Sequence, residues 1–196
     1  MLVGLMGTGK TTVGRLLAER LGLPHIDTDD LIVERTGHTV REIFEAEGED
    51  AFRALETQVL LEALAATEPV VLAAAGGVVL AETNRQALRE SGAFVVWLRA
   101  DPSVLAGRVV GQGHRPLIDA DPAGTLAQML TARERLYRDV STVEIGVEDK
   151  SPEQVTEWIV ETLRARGAPS RQLTDERPLS FGDVAGNIIG GIAGSP

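Results

Sequence analysis

Short apolar runs rich in β-branched residues alternate along this chain with longer stretches of helical period. That is the arrangement of a parallel sheet whose strands are joined by helices, an α/β fold. The runs that predict strands are Leu2–Leu5, His25–Asp27, Val70–Ala74, Phe94–Leu98 and Val143–Val147. The helical stretches have readable ends. Gly22 followed by Pro24 stops the first helix after Leu21, because glycine accepts the left-handed cap and proline cannot continue a helix. Thr39 and Glu42 have the spacing of a capping box that opens Val40–Ala46. Asp101-Pro102 and Ser151-Pro152 each set a capping residue before a proline in the first turn.

Two segments break the alternation. Gly111–Gly124 (GQGHRPLIDADPAG) has no period and many turn formers, and reads as a long mobile loop of the kind that usually carries function. After Arg166 the alternation stops, and GAPSRQLTDERP followed by GNIIGGIAGSP reads as a flexible appendage over 167–196. One domain over residues 1–166 is therefore expected.

Composition narrows the function classes. The chain has 196 residues, of which 43% are hydrophobic and 24% charged, as in an ordinary globular domain. Its formal net charge of -10 argues against a nucleic-acid partner, which needs a basic face. An anionic ligand must then be held by locally placed cations and backbone amides. Cysteine is absent, which fits a reducing compartment and removes thiolate metal sites. The longest apolar run, from Val70 to Ala81, contains two glycines and is too short to span a bilayer, and the N-terminus lacks a signal-peptide pattern. A cytoplasmic protein without a membrane partner is expected.

The candidate chemistry begins at GLMGTGKT, between the first strand and the first helix. This G-x-x-x-x-G-K-[ST] pattern lets backbone N–H groups turn inward around phosphates, with the positive end of the helix behind them. Lys10 reaches the outer phosphates and the Thr11 hydroxyl is the expected Mg²⁺ ligand. No guanine-reading N-K-x-D segment follows, so a small-molecule kinase is favoured over a GTPase. In HIDTDDLIVERTG, Asp27 stands at the carboxyl end of the second strand, where ligands of open α/β sheets gather. Asp29 follows two residues on. One carboxylate can organise the metal while the other accepts a hydroxyl proton; alternatively Asp29 or Asp30 only caps the next helix. Arg53 is either a ligand cation or half of a solvated pair with Glu56 at i,i+3. Gly76 and Gly77 either admit a ligand to their backbone or only bend the chain. Arg115 lies in the HRPLI loop. Arg133, Arg135 and Arg138 sit near a helix end, and periodicity does not choose among them. His25, His38, His114, Trp97 and Trp158 read as structural.

Taken together, GLMGTGKTT, the DTD of IDTDD, FRALE, the glycines of AAAGG, RPLI and LYR occur in the order and at about the spacing of the shikimate kinase family. The chain resembles that family over roughly residues 2 to 165. The resemblance implies a three-layer α/β/α P-loop kinase fold with five parallel strands in the order 2-3-1-4-5. It implies that the enzyme uses ATP and Mg²⁺ to phosphorylate the 3-hydroxyl of shikimate. It places ATP on Gly7, Thr8, Gly9, Lys10, Thr11 and Thr12, with Arg108 stacking on the adenine. The metal falls to Thr11 and Asp27, and Asp29 is the candidate base. Shikimate is held by Asp29, Arg53, Gly76, Gly77 and Arg138, with Arg53 and Arg138 on its carboxylate. Arg115, on the lid, joins Lys10 and Asp29 as a catalytic group. A monomer is expected. Where the family usually has a third glycine this chain has Ala75, which is compatible with activity if its backbone is extended with negative φ. The rival expectations are a kinase for another hydroxylated acid such as gluconate, and a nucleotide-binding regulator without turnover.

Overall fold

The computed structural model describes residues 1–109 and 121–167. The expected lid residues His114 and Arg115, and the chain beyond residue 167, lie outside the described residues.

Five strands form one parallel sheet: β1 (Leu2–Val3), β2 (His25–Asp27), β3 (Val71–Ala73), β4 (Val96–Arg99) and β5 (Val143–Gly146), in the order β2-β3-β1-β4-β5. This is the order the resemblance implies. The central strands β1 and β3 are buried throughout, as are the first three residues of β4, so their apolar runs are continuous rather than alternating. Apart from β2, which matches its predicted run, the strands are shorter than the apolar runs that predict them, although flanking Ala74, Val95 and Val147 still make backbone hydrogen bonds to neighbouring strands.

Among the described residues seven helices connect and flank the strands: α1 (Lys10–Leu21), α2 (Thr28–Thr36), α3 (Val40–Leu64), α4 (Glu82–Glu90), α5 (Pro102–Val109), α6 (Pro122–Val140) and α7 (Pro152–Ala165). Helix α1 lies against β1, β2 and β3 and packs on α7, whereas α6 packs on α5 and α4. The α1 cap is Gly22 in the left-handed region, its N–H turned back on Ala18 and Glu19. Both Thr39–Glu42 and Ser151–Gln154 form capping boxes.

Within α3 the helix opened by Thr39 breaks at Gly48 (φ 85°, ψ 176°), a conformation that glycine alone adopts easily, just past the expected Val40–Ala46, and a second helical stretch with Phe52 and Arg53 near its start runs on to Leu64. Across that break Phe44 and Phe52 meet with ring centroids 4.7 Å apart. The irregular stretch expected to reach Gly124 gives way to α6 at Pro122, because the Asp121 side chain accepts from the Gly124 N–H and the proline starts the helix. Trp97 is buried in β4 and Trp158 packs partly buried on the core, as structural residues would.

Candidate functional site

The segment between β1 and α1 is a strand–loop–helix turn with three glycines in positive φ: Gly4 at 145°, Gly7 at 79° and Gly9 at 88°. Among the described residues no non-glycine shares that sign. Gly4 has a second constraint, since a Cβ there would stand 2.4 Å from the Leu98 carbonyl oxygen of β4. The buried Thr8 hydroxyl braces the loop by donating to the Leu5 carbonyl at 2.8 Å. Lys10 opens α1 and folds back, its Nζ donating to the Gly4 and Leu5 carbonyls at 2.9 Å each. Thr11 donates to Asp27 Oδ2 at 2.6 Å, and Thr12 is exposed on the same turn.

Asp27 uses its two oxygens differently. While Oδ2 takes the Thr11 hydroxyl, Oδ1 accepts the Asp29 N–H at 3.0 Å and so caps α2. The cap of this helix is therefore Asp27, and neither Asp29 nor Asp30 fills that role. Thr28, fully buried between the two aspartates, accepts the Ala75 N–H on its Oγ1 at 2.8 Å. That bond ties the DTD segment to the turn after β3. Ala75 has no positive φ, so alanine is comfortable where a third glycine was the alternative.

The turn after β3 carries Gly76 and Gly77. A Cβ on Gly76 would lie 3.2 Å from the Gly4 carbonyl oxygen and 3.7 Å from the Met6 nitrogen. The turn therefore packs directly on the phosphate-binding loop. At Gly77 the constraint is space rather than dihedral angle: a Cβ there would fall 1.9 Å from Arg53 Nη1, so the guanidinium would have to shift.

Arg53 is not a solvated helix charge. Its Nη1 donates to both Glu56 oxygens, at 3.2 and 3.0 Å, and its Nε and Nη2 reach Glu49 at 3.2 and 3.0 Å. The guanidinium also lies 5.4 Å from the Phe52 ring centroid and 5.9 Å from that of Phe44. Glu56 is only 1% exposed. Burial pushes its carboxyl above the ordinary range, against the pull of Arg53 and, more weakly, Arg133; the negative charge of Asp29 pushes it further up. Asp29, Arg53, Glu56 and Arg133 thus share one electrostatic neighbourhood.

One assignment is corrected here. Arg138 does not join this cluster: it is exposed, paired with Glu134 at 3.0 Å and Glu144 at 3.8 Å, over the Trp97 ring. Arg133 is the arginine that reaches the glycine turn, its Nη1 donating to the Gly76 carbonyl at 3.2 Å. Five helical residues turn the side chain by roughly 140°, which is why the two arginines face different surroundings. Tyr137, four residues after Arg133 and on the same face, donates to the same carbonyl at 2.5 Å. Arg135 is exposed. The signal in the sequence was the i,i+4 pair Arg133–Tyr137 within ARERLYRDV, the tyrosine marking the buried face.

On the far side of the loop, Arg108 in the last turn of α5 donates from Nη2 to the Val147 and Glu148 carbonyls at 3.1 and 3.3 Å. It therefore stands where α5 meets the segment leaving β5. Among the described residues no group of three His, Asp or Glu side chains has metal-binding geometry.

The shikimate kinase family model matches residues 6–164. A shikimate kinase from Symbiobacterium thermophilum is 48% identical over 170 residues, covering 85% of this chain and 97% of that protein. A shikimate kinase structure from Acinetobacter baumannii, solved in complex with shikimate, superposes with a TM-score of 0.80 at 36% identity, covering 88% of this chain and 93% of that one. A gluconokinase from Sinorhizobium meliloti is similar at a TM-score of 0.56 and 28% identity, covering 84% and 95%.

Proposed function

The chain belongs to the shikimate kinase family, and we propose that it transfers the γ-phosphoryl group of ATP to the 3-hydroxyl of shikimate, giving shikimate 3-phosphate and ADP. The observation that carries this reading is the packing of the Gly76 turn against the phosphate loop, with two guanidiniums from different helices, Arg53 and Arg133, brought to that turn. A donor site and a site for a carboxylated acceptor then share one wall.

The proposed roles are these. The amides of Gly7, Thr8 and Gly9 with Lys10, Thr11 and Thr12 cradle the phosphates of ATP. Thr11 and Asp27, already joined by a hydrogen bond, are hard-oxygen donors suited to Mg²⁺, which prefers few protein ligands beside water and phosphate oxygens. Bound there, Mg²⁺ would neutralise charge on the transferring phosphoryl group. Arg53 and Arg133 hold the acceptor's carboxylate with charge-assisted, fork-shaped bonds. Gly76 and Gly77 offer their backbone to its ring hydroxyls. The reacting hydroxyl gives its proton to the Asp29 carboxylate as its oxygen bonds to the γ-phosphorus and the bond from phosphorus to the bridging oxygen of ADP breaks. Arg108 is assigned to the adenine, and Arg115, which lies outside the described residues, keeps the catalytic role that the resemblance implies. The enzyme acts as a cytoplasmic monomer. Among the described residues no helix is long and apolar enough to cross a membrane.

A coupled assay of ADP release tests the proposal. Shikimate should stimulate ADP formation with Mg²⁺ present, and equal release without an acceptor would overturn the kinase reading. Gluconate as the better acceptor would favour the neighbouring kinase class instead.

Two variants separate the assigned arginine from its neighbour. Arg133→Ala should raise the shikimate KM by about tenfold or more, through loss of a charge-assisted bond, whereas Arg138→Ala should leave it within about twofold, as for an exposed ion pair. The reverse order would restore Arg138 to the site. Gly77→Ala should drive the Arg53 guanidinium off its seat and lower kcat/KM for shikimate by at least about tenfold, leaving the ATP KM close to wild type. Steady-state kinetics varying each substrate in turn would detect an unaltered shikimate term, which would show that Arg53 can move without cost.

A further inference from the structure

We infer that Tyr137 is a positioning residue for the acceptor: its hydroxyl holds the Gly76 carbonyl in place so that Arg133 can leave that carbonyl and turn to the substrate's carboxylate. The inference rests on the kinase reading above.

The Gly76 carbonyl receives two donors, Tyr137 at 2.5 Å and Arg133 at 3.2 Å. A carbonyl oxygen has two lone pairs and accepts both. The donors differ in freedom. Tyr137 is fully buried, and its ring stacks on the buried Trp97 with centroids 5.7 Å apart, so its hydroxyl has one position. Burial pushes that hydroxyl up to about 12, so it stays a neutral donor at any working pH. Arg133 stands four residues earlier on the same helix face, on a long, rotatable and only partly buried stem.

This asymmetry has a consequence for binding. The Gly76 carbonyl is partly buried, and stripping such an oxygen of every protein donor costs part of its desolvation as well as the hydrogen bond. If Arg133 were its only donor, each approach of Arg133 to a substrate carboxylate would strip the Gly76 oxygen. With Tyr137 in place the oxygen keeps one bond throughout. Thr28 holds the preceding residue by accepting the Ala75 N–H, so the turn is fastened on both sides before an acceptor arrives.

Tyr137→Phe removes the hydroxyl while keeping the ring and its stack. Calorimetric titration should show shikimate binding weakened by about tenfold, with ATP binding within about twofold of wild type. In an Arg133→Met background, where there is no guanidinium to release, adding Tyr137→Phe should weaken shikimate binding by less than about twofold. Equal weakening in both backgrounds, or a lower melting temperature with unaltered shikimate affinity, would leave Tyr137 as packing only and overturn the inference. A crystal structure with shikimate bound checks the wild-type protein directly. Tyr137 should remain on the Gly76 carbonyl and Arg133 should have withdrawn; Arg133 still seated there overturns the inference. Wild-type protein that binds no shikimate would overturn the kinase reading as well, which sets that failure apart from a failure of the anchor alone.

Discussion

Lys10→Ala is expected to lower turnover with shikimate by about a thousandfold or more, leaving a folded protein. Lys10 is the first residue of α1, and its ammonium lies folded over the loop on the Gly4 and Leu5 carbonyls. It carries a full positive charge to the place where phosphate oxygens gather negative charge during transfer. Removing one preorganised neutral donor from such a place typically costs about 10²–10³ in kcat, and a cation in a partly dry site is worth more. The fold should tolerate the change. Alanine is the best helix former, and the bonds lost are partly solvated, so stability should fall by no more than about 1–2 kcal/mol. The coupled assay and a thermal melt read the two effects separately. Turnover above a tenth of wild type would show that the backbone nest does the work alone.

Arg53→Ala is expected to damage binding and stability together. On the binding side, losing a charge-assisted pair to the acceptor's carboxylate of about 1.5–3 kcal/mol predicts a 10- to 150-fold weaker shikimate affinity. On the stability side, the structure adds what spacing did not show. Glu56 is buried against Arg53, and breaking a buried pair by removing one partner commonly costs about 3–5 kcal/mol. The pH dependence has a definite sign. The Glu56 carboxyl is already raised by burial, and without Arg53 it rises further. An acid whose folded pKa exceeds its unfolded one favours the folded state below the unfolded value and loses that support as pH climbs through the folded value. The deficit of Arg53→Ala relative to wild type should therefore be smallest in acid and grow towards neutrality. The double variant Arg53→Ala/Glu56→Gln should regain most of the stability but not the shikimate affinity. Denaturant melts across pH measure the first effect, and a titration measures the second. A deficit independent of pH would mean Glu56 is not the group left unpaired.

The sequence by itself determined the features that depend on neighbours along the chain. Strand and helix order, the capping box at Thr39, the capping residue Ser151 and the glycine stop at Gly22 all rest on local backbone chemistry, and each is where the spacing puts it. The phosphate loop was legible for the same reason: the positive φ of Gly4, Gly7 and Gly9 and the adjoining Lys10 and Thr11 lie within one turn of chain. Asp27 and Asp29 were legible as a pair, but that Asp27 both caps α2 and meets Thr11 required the strand that brings β2 beside the loop. What only the tertiary structure decided is which charges are buried together. FRALE looks the same whether its Arg–Glu pair is solvated or sealed, and the packing of α3 against the glycine turn seals it. Three arginines within six residues of α6 are equivalent by composition, yet the angle at which α6 meets the sheet sends Arg133 to Gly76 and leaves Arg138 in solvent beside Glu144. Periodicity records the face of a helix relative to its own axis. The rotation of that axis against the sheet is set by side chains far away in sequence, such as the stack of Tyr137 on Trp97, and so it is written only in the folded packing.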